Sequence, residues 1–64
     1  MPQIETNTRR IIARLKSEGW SEIGGSKHYK YANPAKPGIA IIVPRHREQS
    51  PGVARSIAKA AGWL

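Results

Sequence analysis

Two histidines, His28 and His46, stand among cations in a chain that has only four Asp and Glu residues. Lys27 and Lys30 lie beside the first, and Arg45 and Arg47 flank the second. An ordinary imidazole titrates near pH ~6.5, so it exchanges protons readily under physiological conditions. Next to RNA it can take the 2′-hydroxyl proton, which lets that oxygen attack the adjacent phosphate. Lys or Arg close by neutralises the charge that builds on the phosphoryl oxygens. No metal is required for this chemistry, and no cofactor is implied. The plainer reading is that His28 is an exposed strand residue, because most solitary histidines are not catalytic.

Composition narrows the setting. The chain has 64 residues, a formal net charge of +7 and no cysteine, with a pI near 10.7. A chain of ~60 residues buries only about 60% of its unfolded surface, so it makes one small domain. That length excludes a two-domain enzyme and a Rossmann or P-loop nucleotide site. Without cysteine there is no thiolate catalysis, zinc ribbon or disulfide framework. No apolar run approaches the ~20 residues that cross a bilayer, and the segment 1–8 lacks the apolar stretch of a signal peptide. A soluble cytoplasmic protein without membrane contact is expected. Its positive field attracts polyanions, either nucleic acid or an acidic protein.

The elements that position these residues follow from periodicity. From Asn7 to Glu18 the spacing is helical, with Thr8, Ile11, Ile12 and Leu15 on one stripe. Thr6 or Asn7 suits the cap, and Gly19 suits the left-handed position after the last turn. Residues 1–6 are expected to be loosely ordered. Short strands are predicted over 20–23, 27–31 and 39–43, with a Gly24-Gly25-Ser26 turn and the proline-bearing loop Asn33 to Gly38 between them. Pro44 ends the third strand or marks it as an edge. Ser50 followed by Pro51 starts a second helix, whose stripe is Val53, Ala54, Ile57, Ala58 and Ala61. Gly62 ends it, and Trp63 with Leu64 is expected to fold back on the core. The result is an α+β domain of order α-β-β-β-α, a three-stranded antiparallel sheet with two helices on one face.

Alternation also predicts the pairing. Setting Tyr29 opposite Val43 and Tyr31 opposite Ile41 gathers the tyrosines and the β-branched row on the covered face. The open face then carries His28, Lys30 and, from the first strand, Ser21 or Glu22. His28 falls near Pro44, and His46 beside the Gly24-Gly25-Ser26 turn, so both histidines reach one end of the sheet. The four aromatic residues, Trp20, Tyr29, Tyr31 and Trp63, could stack on bases, but the core needs most of them. Arg55 and Lys59 lie one turn apart on the outer face of the second helix, a like-charge pair that costs a few tenths of a kcal/mol. No acidic residue follows Glu48, which favours an anionic partner for that face.

Five short motifs, in order, resemble one family. Gly25-Ser26-Lys27-His28 is similar to the Gly-Ser-x-His motif that opens the second strand of HicA-type toxins. Glu18-Gly19-Trp20 resembles the end of that family's first helix, and Asn33-Pro34 through Pro37-Gly38 its proline-bearing loop. Val43-Pro44-Arg45-His46 resembles its Val-Pro-x-His, and residues 52–62 its closing helix. The resemblance covers roughly Thr8 to Leu64. It implies a fold like double-stranded RNA-binding domains and an mRNA-cleaving toxin, an mRNA interferase, of a bacterial type II toxin–antitoxin pair. His28 then holds the place of the catalytic histidine, and the partner is a HicB-type antitoxin. Lys27 stands where many members carry a second histidine, and the stretch 47–51 is less typical.

Three readings follow. One is a metal-independent endoribonuclease acting on single-stranded or structured mRNA, with His28 catalytic and Ser26, Lys27, Lys30, Arg45, His46, Arg55 and Lys59 holding RNA. His46 is in this reading either a second proton carrier or a structural turn residue. The second is a non-catalytic basic RNA-binding module of the same fold, which needs the basic helix faces but no particular histidine. The third is an interaction subunit whose positive charge serves only to dock an acidic partner.

Overall fold

In a computed structural model the structure describes residues 4–24 and 27–64. Helix α1 (Thr8–Ser17) is followed by strands β1 (Ser21–Gly24), β2 (His28–Ala32) and β3 (Ala40–Pro44), and by helix α2 (Pro51–Ala61). The expected α+β order holds, with strands in the order β1-β2-β3 and both pairs antiparallel. Each strand lies one residue later than the pattern predicts. Pro44 is the last residue of β3, an edge strand, where a missing amide costs no ladder bond.

The helix ends are made by the residues whose chemistry suits them. Asn7 is the α1 cap, its Oδ1 accepting from the Arg10 amide at 3.0 Å, a contact worth ~1 kcal/mol over alanine. Ser50 caps α2 in the same way, with Pro51 at the first helical position. Gly62 closes α2 in the left-handed conformation at φ 83°, where a Cβ would be strained. At the end of α1, Asn33 bridges outward and inward. Its Nδ2 donates to the Glu18 carbonyl and its Oδ1 accepts from the Ala35 amide, so the proline-bearing loop is tied to the helix end.

The core lies between the helices and one face of the sheet. Ile11 and Leu15 of α1, Ile57 and Ala61 of α2, and Tyr31, Ile41 and Val43 of the sheet form one buried cluster with Trp20. Each fully buried Ile, Leu or Val contributes ~1.5–3 kcal/mol. Tyr29 pairs with Val43 and Tyr31 with Ile41, as the alternation predicts. Tyr31 is 1% exposed while Tyr29 is half-buried at the cluster's edge.

One open expectation is resolved and another changes. Glu22 sits opposite Tyr31 and Ser21 opposite Ala32, so of that pair only Ser21 belongs to the open face. A bulge at Ile23 shifts the register between Glu22 and Gly24. Burial raises the Tyr31 phenol pKa above its usual range, and the Glu22 carboxylate adds to that shift. At the C-terminus, Trp63 packs against the core, but Leu64 is 59% exposed. Trp63 is held by its own contacts: its Nε1 donates to Glu18 at 2.7 Å and Arg14 lies 4.2 Å over its ring. Leu64 is one residue beyond that anchor.

Candidate functional site

His28 opens β2, directly opposite Pro44, and is exposed. Residues opposite each other share a face, and successive residues alternate. His28 and Lys30 therefore project from the face that the helices leave open, while Tyr29 projects toward the core. Ile42 lies opposite Lys30 and is 51% exposed, which gives this open face an apolar centre beside its two polar side chains. Lys27, exposed, precedes His28. The expected Gly24-Gly25-Ser26 turn and the RNA contact assigned to Ser26 fall on Gly25 and Ser26, which lie outside the described residues.

His46 lies on the chain that leaves β3, and the turn expected beside it falls on Gly25 and Ser26, outside the described residues. The chain after β3 turns back, with the His46 amide donating to the Pro44 carbonyl at 2.9 Å. It then runs beside the start of α1. The Thr8 hydroxyl donates to the His46 carbonyl, the Thr8 amide to the Arg47 carbonyl at 3.0 Å, and the Gln49 amide to the Thr6 carbonyl at 2.8 Å. Thr6 Oγ1 also donates to Glu48 at 2.6 Å. Gln49, only 4% exposed, closes this junction: its Nε2 donates to Thr8 Oγ1 at 2.6 Å and to the Pro44 carbonyl at 2.8 Å. A buried amide with both partners met holds a loop firmly, because leaving them unmet costs ~1–3 kcal/mol. Nothing in the local pattern signalled Gln49, which ties the nearby Pro44 carbonyl to Thr8, a residue 41 positions away.

Between the start of α1 (Asn7, Thr8, Arg9 and Ile12) and the chain after β3 (Arg45, His46 and Arg47) lies a cleft of about 530 Å³ that also reaches Tyr29. The Arg45 guanidinium stacks over the Tyr29 ring at 4.6 Å. Thus the structure brings Arg45, His46 and Arg47 together, as the sequence reading expects, and adds Arg9 to them. His28, Lys27 and Lys30 do not line this cleft. The two histidines share one end of the sheet but belong to different sides of it. Arg55 and Lys59 are exposed on α2, as the helical stripe requires.

Chemically, the open face offers an accessible imidazole with ammonium groups on either side in sequence, and the cleft offers guanidinium groups around a flat stacked pair. Among the described residues no group of three or more His, Asp or Glu could hold a metal ion, and no helix is long and apolar enough to cross a membrane.

No curated protein matches the chain. A family model does, that of the HicA toxin of bacterial toxin–antitoxin systems, and its match runs from residue 8 to residue 63. It spans both helices, all three strands, the exposed His28 and the Pro44–His46 turn, so the chain belongs to the HicA toxin family.

Proposed function

We propose that this toxin is a metal-independent endoribonuclease that cleaves mRNA in the cytoplasm, with His28 as the essential catalytic residue. The observation that carries the reading is the position of His28. It is exposed on the uncovered face of the sheet, with Lys27 before it and Lys30 beside it on the same face. Its imidazole takes the proton of a ribose 2′-hydroxyl, and the 2′-oxygen attacks the neighbouring phosphorus. The bond to the 5′-oxygen breaks, and that oxygen is protonated by water. The products carry a 2′,3′-cyclic phosphate and a 5′-hydroxyl. Lys27 and Lys30 stabilise the charge on the phosphoryl oxygens, and a positioned base of this kind contributes ~10²–10⁴-fold. Ser26, Arg45, His46, Arg55 and Lys59 hold the strand.

Membership of a toxin family implies a cognate antitoxin, and a HicB-type protein covering the open face would block both substrate and His28. The apolar Ile42 beside Lys30 supports contact with a folded partner there. Tight induction of the wild type and of His28→Ala in cells tests the reading, with growth and RNA integrity followed together. Growth arrest with RNA cleavage in the wild type alone is expected. Equal toxicity in both would remove His28 from catalysis, and RNA binding without toxicity in either would favour the non-catalytic module.

A further inference from the structure

The cleft beside α1 is not explained by the chemistry at His28, and its electrostatics are costly. Arg9 and Arg10 occupy the first turn of α1, which contains no acidic residue. Cations there oppose the helix dipole by ~0.3–1 kcal/mol each. Arg10 is partly offset by Glu5 at 3.8 Å. Arg9 makes no ion pair with any described residue, nor does Arg47 across the cleft, and both are exposed. The chain after β3 is fastened at this spot by Thr8 and Gln49, so the fold keeps Arg9, Arg45 and Arg47 on one cleft. A bound anion removes that cost.

The lining also says what kind of anion. Arg45 over Tyr29 presents a flat guanidinium–aromatic stack, and half-buried Ile12 adds an apolar wall. A base stacks on such a surface, and single-stranded RNA is commonly recognised this way. The volume, about 530 Å³, falls within the ~300–1,000 Å³ of small-ligand sites. An acidic peptide would use the arginines but leave the stack unused.

We propose that this cleft is a nucleotide subsite for single-stranded RNA: Arg9 and Arg47 take a phosphodiester, and the Arg45–Tyr29 stack takes the attached base. The inference rests on the RNA reading above. It places a second contact on the strand away from the scissile bond, because His28 faces the other side of the sheet. An RNA that passes around the end of β3 reaches both. The cleft therefore contributes affinity and register, while the bond-breaking group lies elsewhere.

The test uses the full chain carrying His28→Ala, so that RNA is bound without being cut. Binding of a short single-stranded RNA oligonucleotide is followed by anisotropy across a salt series, with and without Arg9→Gln and Arg47→Gln together. The double substitution is expected to weaken binding about tenfold at low salt and to lower the salt slope by about 0.7 for each phosphate no longer neutralised. Arg9→Lys with Arg47→Lys should restore most of the slope. Unchanged affinity and slope in the glutamine variant, where its parent binds, overturns the subsite and leaves the RNA reading intact. Weaker binding with an unchanged slope overturns it too, since the loss would then be structural. An RNA affinity that is retained while binding of the antitoxin protein to the same variant is lost would overturn the subsite and assign the cleft to the protein partner instead. If the His28→Ala parent binds no RNA, the proposed function fails and the subsite with it.

Discussion

His28 and Pro44 are cross-strand partners at one end of the β2–β3 ladder. Through this one pairing, the start of β2 and the turn after β3 become neighbours, although their motifs are far apart in sequence. The pairing also divides them. His28 stays on the open face, whereas the chain beyond Pro44 folds toward α1 and takes His46 to the other side. One end of a small sheet thus carries two chemically different surfaces, an open face with His28 and Lys30 and an arginine-rich cleft.

Gln49 should be essential to the second surface and dispensable to the first. Gln49→Ala leaves the Pro44 carbonyl without its partner and removes a donor from the Thr8 hydroxyl. A loss of about 1–3 kcal/mol is expected, read as a lower midpoint in urea with an unchanged slope. Amide exchange at 45–48 should quicken more than exchange in β2. Uniform acceleration across both would show that the residue serves the whole core instead.

Glu18 predicts an acid dependence of the C-terminal clasp. The Trp63 indole donating to its carboxylate is the main reason its pKa lies below the ordinary 4.5, opposed by desolvation and aided by Arg14 and Lys36. A carboxyl with a lowered folded-state pKa stabilises the fold above its unfolded value, and that contribution disappears as pH falls through the folded value. The group is largely solvated, so the effect is local and small. The Trp63 indole N–H resonance should move when the pH is lowered below 4.5, and in Glu18→Gln it should not. An identical acid response in the two proteins would contradict the clasp.

Arg55 and Lys59 sit on the exposed face of α2 and carry no packing role. Replacing each by Gln should leave the thermal midpoint within about 0.5 kcal/mol of stability. The salt slope of RNA binding should fall by about 0.7 for each phosphate these cations neutralise. A slope equal to the wild type's would confine the RNA to the sheet end.

Much of this architecture is legible from local pattern. Alternation of polar and aromatic residues in β2 and the β-branched run in β3 set which face is covered, since a one-residue slip would turn it outward, and the expected Tyr29–Val43 and Tyr31–Ile41 pairs are the ones observed. Ser50-Pro51 and Gly62 mark α2 because their backbone preferences act within one turn. What is not legible depends on distance. The path of residues 45–49 is set by Thr8 and Gln49, whose contact spans 41 positions, and no helical or strand period encodes it. The return of the chain at Pro44, which sets the place of His46, is likewise not encoded in the straight ladder that the alternation predicts. Arg9 reads in sequence as ordinary surface charge and Arg47 only as a cation beside His46; the turn after β3 brings the two to one cleft. Leu64 reads as core because of its type, yet the anchoring of Trp63 leaves it outside.

The central claim is that His28 cuts RNA without a metal. The direct measurement incubates purified wild type and His28→Ala with single-stranded RNA in the presence of a chelator, after circular dichroism has shown equal folding. The wild type should cleave and leave 2′,3′-cyclic phosphate ends, and the rate with His28→Ala should fall by at least about 10²-fold. Cleavage at equal rates by the two proteins, or loss of wild-type cleavage on adding the chelator, would contradict the account.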